Sequence, residues 1–156
     1  MPIIATLCMI YKDGKILLQR KAEGRFGAGK WNMPGGKVKA GETFVEAAKR
    51  EVLEETGIKV RKLSKIGKLN FFFESSKEPV WIVHVFLAKD FSGKEKPNEE
   101  GELKWFDTKE LPFNEMWPDD KYWYPFIFSG KKFEGNFYFT NGFGTLLSHN
   151  IREITR

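Results

Sequence analysis

Residues 36–58 read GKVKAGETFVEAAKREVLEETGI, and this is the most informative stretch of the sequence. Thr43 is followed three residues later by Glu46, which is the spacing of a capping box at the start of a helix. Gly57 suits the position just after a helix, where a left-handed backbone is common. The pattern therefore predicts a helix from about residue 43 to residue 57, entered from a glycine-rich loop.

The predicted helix gathers carboxylates on one side. Glu51, Glu54 and Glu55 are spaced i, i+3, i+4, so they share a single arc of the helix. The adjoining arc is apolar and is expected to face the core: Val45, Ala48 and Val52. Crowded carboxylates repel one another, and hard divalent cations bind oxygen ligands. The arc predicts a Mg²⁺ or Mn²⁺ site, with a solvated charged helix face as the alternative.

Composition limits the class of protein. The chain has 156 residues, 26 Lys+Arg against 21 Asp+Glu, a formal charge of +5 and 41% hydrophobic residues, as expected of one globular domain over residues 1–156. The single cysteine, Cys8, excludes an intrachain disulfide framework and a zinc site made only of cysteines. Residues 1–10 lack the pattern of a signal peptide, and no apolar run reaches membrane-spanning length. We expect a cytoplasmic protein with no membrane contact.

Short apolar runs between turn signals predict strands around the helix. They cover residues 3–11, 16–18, 31–33, 69–73, 80–87, 103–106, 132–140 and 145–154. Asp13-Gly14 and Asn141-Gly142 are hairpin turn signals, whereas Gly35-Gly36 and residues 92–102 are expected to be loops. Pro118 suits the first turn of a second helix that ends near Phe128. The chain is therefore predicted to be a mixed α/β domain with two main helices.

Aromatic residues are abundant, with 15 Phe, 5 Trp and 4 Tyr. A Phe-rich core explains this count without any ligand. A pocket for a flat ligand also explains it, because bases stack on aromatic rings with about 1–3 kcal/mol per stack.

The stretch 36–58 resembles the Nudix box, G-x5-E-x7-R-E-U-x-E-E-x-G-U, where U is aliphatic. Every fixed position is matched: Gly36, Glu42, Arg50, Glu51, Val52, Glu54, Glu55, Gly57 and Ile58. The resemblance implies an α/β/α sandwich with a mixed β-sheet and Mg²⁺-dependent hydrolysis of nucleoside diphosphate derivatives. It also implies that Glu51, Glu54 and Glu55 hold metal with the carbonyl of Gly35, supported by Arg50 and Glu42.

Outside the box, the chain is similar to the MutT-homologue type of Nudix enzyme, which hydrolyses oxidised purine nucleoside triphosphates. Residues 25–32 and the segment Met116-Trp117-Pro118-Asp119-Asp120 carry most of this similarity. It implies a set of substrate-binding residues: Thr6, Lys21, Phe26, Asn32, Gly35, Gly36, Lys37, Phe71, Phe73, Trp81, Trp117, Pro118, Asp119 and Asp120. Glu100 matches a further carboxylate that approaches the metals in this group.

Adjacent carboxylates at Asp119 and Asp120 suit recognition of a base edge. If both are buried, desolvation and like charge raise one pKa, so that one group can donate a hydrogen bond while the other accepts. The alternative is an acidic cap on the second helix. Two departures from the group concern the pocket: Met33-Pro34 replaces Gly-Phe, and Trp81 replaces a slimmer Met.

The resemblance implies hydrolysis of 8-oxo-dGTP and 2-oxo-dATP to the monophosphate and pyrophosphate, and so sanitation of the nucleotide pool. One alternative is a Nudix pyrophosphatase that acts on another nucleoside diphosphate derivative. The other is a non-catalytic nucleotide- or RNA-binding Nudix domain. We expect a monomer whose partner is a small nucleotide, without a stable nucleic acid complex.

Overall fold

The computed structural model describes residues 1–155 and contains one mixed sheet. Its strands are β1 (Ile3–Lys12), β2 (Lys15–Lys21), β3 (Trp31–Asn32), β4 (Gly35–Lys37), β5 (Lys59–Phe73), β6 (Trp81–Ser92), β7 (Gly101–Asp107), β8 (Lys132–Phe139) and β9 (Leu146–Ile154). The strand order is β3-β2-β1-β6-β5-β8-β9, with β4 against β1 and β7 against β2. The helices are α1 (Phe44–Thr56) and α2 (Asp120–Phe128), with a 3-10 turn at Phe113–Glu115.

The two helices cover opposite faces of the central strands β1 and β6, which run parallel. Successive strand residues point to opposite faces. Cys8 and Ile10 pack in one core with Ala48 of α1. Met9 packs in the other core with Trp123 of α2. The predicted α/β/α sandwich is confirmed, and burial raises the pKa of the Cys8 thiol to about 12, as befits a core residue.

Helix α1 begins and ends where the sequence predicts. The Thr43 side chain accepts a hydrogen bond from the backbone of Glu46, the reciprocal bond completes the capping box, and Gly57 has a φ of 80°. One expectation is wrong, because Val45 is 40% exposed. It lies in the first turn beside Phe44, which is also exposed, so the buried stripe develops only at Ala47 and beyond.

Two further expectations need correction. Gly35 and Gly36 form strand β4 against Leu7 and Thr6 instead of a loop. A Cβ atom on Gly35 would lie 2.0 Å from the carbonyl oxygen of Thr6, so only glycine permits this pairing. Strands β5 and β6 extend well beyond the predicted runs, because register shifts around residues 60–67 break the alternation that predicts strands.

Candidate active site

Arg50 joins the carboxylates of α1 to the loop that precedes the helix. Its Nε and Nη2 bind the two oxygens of Glu42 at 2.5 and 2.9 Å, and Nη1 donates to Glu51 at 2.9 Å and to Glu54 at 3.2 Å. Nη2 also donates to the backbone carbonyl of Lys37 at 3.2 Å. The Arg50 hydrogen bonds lower the pKa of Glu42 to about 2. Arg50 therefore fixes the position of the helix relative to β4.

Glu55 is the most buried of the three helix glutamates, with 4% of its side chain exposed against 15% for Glu51 and 49% for Glu54. Its Oε1 accepts the backbone N–H of Gly35 at 3.0 Å, and its Oε2 accepts from Lys21 Nζ at 3.2 Å. Burial raises the pKa of Glu55 to about 7, against the opposing effect of Lys21. A carboxylate in this range can accept a proton near neutral pH.

The backbone of Gly36 lies directly against Glu51. A Cβ atom at Gly36 would stand 2.6 Å from the carboxyl carbon of Glu51 and 2.7–2.8 Å from its oxygens. The box glycine is therefore required by the close approach of strand and helix, which brings β4 to the carboxylate arc.

A cavity of about 290 Å³ opens beside β4. Four aromatic rings stand together at this cavity. Phe26 stacks on Trp81 at a centroid distance of 6.0 Å and on Trp117 at 5.3 Å, and Phe143 meets Phe26 edge-on at 5.9 Å. Such a wall suits the flat faces of a nucleobase.

Asp119 and Asp120 lie on the cavity lining and are only 3% and 2% exposed. Trp123 Nε1 donates to Asp119 Oδ2 at 2.9 Å. Burial raises the pKa of Asp119 to about 6, and burial together with the charge of Asp119 raises that of Asp120 well above its usual range. Asp119 occupies the N-cap position of α2 and Asp120 lies in its first turn, as the alternative has it, but the Asp119 side chain makes no capping bond.

Cations surround the mouth between the aromatic wall and α1. Lys21, Arg25 and Lys37 line the cavity, and Lys37 Nζ also stands 5.9 Å from the centre of a Trp81 ring. Lys30 Nζ stands 4.9 Å from a ring centre of Trp117. The charge distribution suits an anionic group that extends from the cavity toward α1.

Comparison with known proteins places the chain in a family. The sequence model described as NUDIX domain matches residues 1–127. The chain belongs to the Nudix family. A mouse (Mus musculus) protein named oxidized purine nucleoside triphosphate hydrolase is 43% identical over 149 residues, which are 96% of this chain and 94% of that protein. The zebrafish (Danio rerio) protein of the same name is 41% identical, over 97% of this chain and 95% of its own length.

Solved structures support the same Nudix fold. The crystal structure of a MutT protein from Bacillus halodurans superposes with a TM-score of 0.84 at 31% identity, covering 96% of this chain and 97% of that one. No helix within residues 1–155 is long and apolar enough to cross a membrane.

Nudix hydrolases generally use divalent metal ions, and the donors at α1 fit such an ion chemically. The Glu55 carboxylate accepts the N–H of Gly35, whose carbonyl is a further oxygen donor, and the Glu51 carboxylate lies against Gly36. Within residues 1–155, however, no three acidic, histidine or cysteine side chains form a ready metal cluster. Arg50 and Lys21 bind the glutamates instead.

Glu100, matched by resemblance to a metal-approaching carboxylate, pairs here with Arg25 at 3.4 Å. Its loop is nevertheless tied to the end of α1, because Asn98 Nδ2 donates to the carbonyls of Glu54 and Glu55 at 3.2 and 3.0 Å. The structure therefore holds Glu100 near the Nudix helix, with its carboxylate directed to Arg25.

Most residues assigned to the substrate by resemblance lie on the cavity lining: Thr6, Lys21, Phe26, Asn32, Gly35, Gly36, Lys37, Phe71, Trp81, Trp117, Asp119 and Asp120. Phe73 and Pro118 do not line it. Phe73 instead packs edge-on behind Phe143 at 4.8 Å. Asn32 uses its Oδ1 to accept from the backbone of Met33 at 2.8 Å, which leaves the amide nitrogen for a ligand.

Sequence reasoning missed Phe143 and Arg25 as lining residues. Arg25 lies in the quoted stretch 25–32, so its charge was a usable signal. Phe143 follows the turn Asn141-Gly142 with a φ of 59°. Nothing in a turn pattern indicates that the next ring folds back over a distant cavity.

Proposed function

We propose that this Nudix protein hydrolyses oxidised purine nucleoside triphosphates, such as 8-oxo-dGTP and 2-oxo-dATP, to the monophosphate and pyrophosphate. One observation carries the proposal. The same cavity is lined by the buried Asp119 and Asp120, by aromatic rings and by the glycines of β4, and β4 lies against Glu51 of α1. The names of the mouse and zebrafish relatives agree with this substrate class.

The base end of the cavity offers both kinds of hydrogen-bonding partner. With one proton shared between Asp119 and Asp120, one carboxyl donates and the other accepts. The raised pKa of both groups keeps such a proton available near neutral pH. Asn32 adds an amide, and Trp117 offers a face for stacking. These groups suit a purine edge that carries both donors and acceptors.

At the other end, Lys21 and Lys37 can bind the triphosphate, and the glycine backbone of β4 admits it closely. A bound Mg²⁺ or Mn²⁺, held by Glu51, Glu54, Glu55 and the Gly35 carbonyl, would supply polarisation of the phosphoryl oxygens and a lower pKa for bound water.

Hydrolysis adds a water oxygen to a phosphorus, breaks the bond from that phosphorus to the oxygen of the leaving group, and yields a nucleoside monophosphate and pyrophosphate. One helix glutamate accepts the proton of the water. Lys21 and Gly35 hold the Glu55 carboxylate in place within this group. Arg50 keeps Glu51 and Glu54 oriented beside it.

The test is a turnover panel of 8-oxo-dGTP, 2-oxo-dATP, dGTP, dATP and ADP-ribose with Mg²⁺, with the products separated by ion-exchange chromatography. We expect monophosphate and pyrophosphate from the oxidised purines at a higher kcat/KM than from dGTP, and none in chelator. Glu54→Gln is the matched control, since it keeps size but loses charge. Preferred hydrolysis of ADP-ribose would favour the other Nudix substrate class. Nucleotide binding in chelator without turnover in Mg²⁺ would favour a binding module.

A further inference from the structure

Two buried oxygens one turn apart on α2 have no hydrogen-bond partner among residues 1–155: Oδ2 of Asp120 and the hydroxyl of Tyr124. Asp120 is 2% exposed and Tyr124 is fully buried. About nine-tenths of buried polar groups in proteins are hydrogen-bonded, and a buried tyrosine hydroxyl usually finds a partner. Two such oxygens one helical turn apart are suited to share one water between them.

Helix geometry brings the two side chains together. Tyr124 lies four residues after Asp120, and helical side chains lean toward the N-terminus, so its ring extends over the turn that carries Asp120. Trp123, at 4.6 Å between ring centroids, and Phe113, edge-on at 5.9 Å, pack against this ring. Burial and the charges of Asp120 and Asp119 raise the pKa of the Tyr124 phenol, as proximity to both carboxylates requires.

Among the side chains of residues 1–155, Trp123 alone donates to the Asp119/Asp120 pair. Asp119 receives the indole N–H of Trp123 at 2.9 Å, whereas Asp120 Oδ2 receives none. A donor that binds an ionised carboxylate favours its charged form. The Trp123 side chain therefore favours the ionised state on Asp119 and the proton on Asp120, while a backbone hydrogen bond from Trp117 acts on Asp120 in the opposite sense.

We propose that Tyr124 is a positioning residue that sets base specificity: its hydroxyl donates through one buried water to Asp120, as Trp123 donates to Asp119. The inference rests on the proposed function, in which the pair recognises the base. With one donor for each carboxylate, the two placements of the shared proton become closer in free energy. The pocket can then offer either donor–acceptor pattern to a purine.

Within residues 1–155, no charged side chain at the cavity donates a hydrogen bond to Asp120, and the buried Thr6 hydroxyl on the lining has no partner of its own. The charged side chains on the cavity lining are Lys21 of β2, Arg25 of the following loop and Lys37 of β4. The surrounding residues from β5 and β8 are neutral rings, Phe71 on the lining and Phe133 stacked on the indole of Trp123 at 5.7 Å. Apart from the aspartates themselves, the tyrosine is the one titratable group on α2 that is buried behind the pair.

Tyr124→Phe removes only the hydroxyl, and Tyr122→Phe is the matched control, because Tyr122 lies on the same helix but is 37% exposed. The first measurement needs no turnover: the infrared carbonyl band of the protonated carboxyls is titrated in the nucleotide-free protein. We expect the apparent pKa of the pair to rise by about one pH unit in Tyr124→Phe and to stay unchanged in Tyr122→Phe. An unchanged titration in Tyr124→Phe overturns the inference, even if the enzyme prefers oxidised purines.

The second measurement is the ratio of kcat/KM for 8-oxo-dGTP to that for 2-oxo-dATP. Tyr124→Phe should change this ratio by about tenfold, because the state with ionised Asp120 and protonated Asp119 loses a hydrogen bond to a charged group. If the titration of Tyr124→Phe shifts but its kcat/KM ratio stays unchanged, Tyr124 does not set base specificity. If neither nucleotide is turned over by the wild type, the proposed function fails while the infrared titration still tests Tyr124. Should the variant not fold, a high-resolution crystal structure of the wild type decides: a water touching both oxygens supports the bridge, and none refutes it.

Discussion

Replacing Gly36 with alanine should damage turnover while leaving the fold intact. The new methyl carbon would stand 2.6 Å from the carboxyl carbon of Glu51, and ordinary contact begins at 3.4 Å. The carboxylate must therefore move by about 0.8 Å. It is the far end of a flexible side chain, so it can move at little cost in stability, but it leaves its bond to Arg50 at 2.9 Å.

The expected loss follows from this displacement. Misplacing a reacting group by about 1 Å can cost roughly a hundredfold in rate. We therefore expect kcat for 8-oxo-dGTP to fall by about ten- to hundredfold in Gly36→Ala. The melting temperature should change by no more than a few degrees, since the clash is relieved by one side chain.

Steady-state kinetics and thermal melting of two alanine variants test this reasoning. Gly130→Ala is the control, because Gly130 has a φ of +71° and nothing within 4 Å of its Cβ position. The control should lose about 1 kcal/mol of stability through backbone strain and keep its turnover. Normal turnover in Gly36→Ala, or equal losses in both variants, would refute the assigned contact between β4 and Glu51.

Three further predictions follow from the site. Glu54→Gln should reduce turnover strongly at an unchanged melting temperature, because the Glu54 side chain is 49% exposed; near-normal turnover would contradict the metal assignment. Trp81→Met should alter the ratio of 8-oxo-dGTP to 2-oxo-dATP turnover, because the indole stacks on Phe26 at the cavity; a lower melting temperature with an unchanged ratio would count against it. Burial raises the pKa of Asp119 from 3.8 to about 6, so the stability linked to its neutral form is complete below pH 3.8 and is lost as the pH rises through about 6. The pKa of Asp120 is also raised well above 3.8, so its neutral form contributes in the same direction. Urea unfolding from pH 4 to 7 should therefore show a flatter decline for the double Asn variant than for the wild type, and equal slopes would speak against burial of the pair.

Local patterns were read correctly from the sequence, because their causes lie within a few residues. The capping box at Thr43, the left-handed Gly57 and the tight turn at Asp13-Gly14 each depend on neighbours in the chain. The order of the carboxylates on α1 depends only on helical periodicity. Family resemblance added the distant Asn32 to the same site, which no local pattern could do.

The features that the sequence did not predict depend on packing between residues that are distant in the chain. Strand β4 exists because Gly35 fits against the backbone of Thr6, a partner far away in the chain. Phe143 reaches the cavity because the turn after β8 returns toward Phe26. Periodicity placed Val45 in the core, but how far the sheet covers the first turn of α1 is a property of the assembled fold.

Base recognition by the aspartate pair is tested most directly by the ratio of kcat/KM for 8-oxo-dGTP to that for dGTP, measured with Mg²⁺ for the wild type, Asp119→Asn and Asp120→Asn. Asparagine keeps the size of each side chain but removes its titration, and an unpaired buried polar group costs about 1–3 kcal/mol. We expect the wild type to prefer 8-oxo-dGTP and the ratio to fall by about ten- to hundredfold in each variant, with hydrolysis of dGTP retained. A wild type without preference, or two variants that keep the wild-type ratio, would contradict base recognition by the pair.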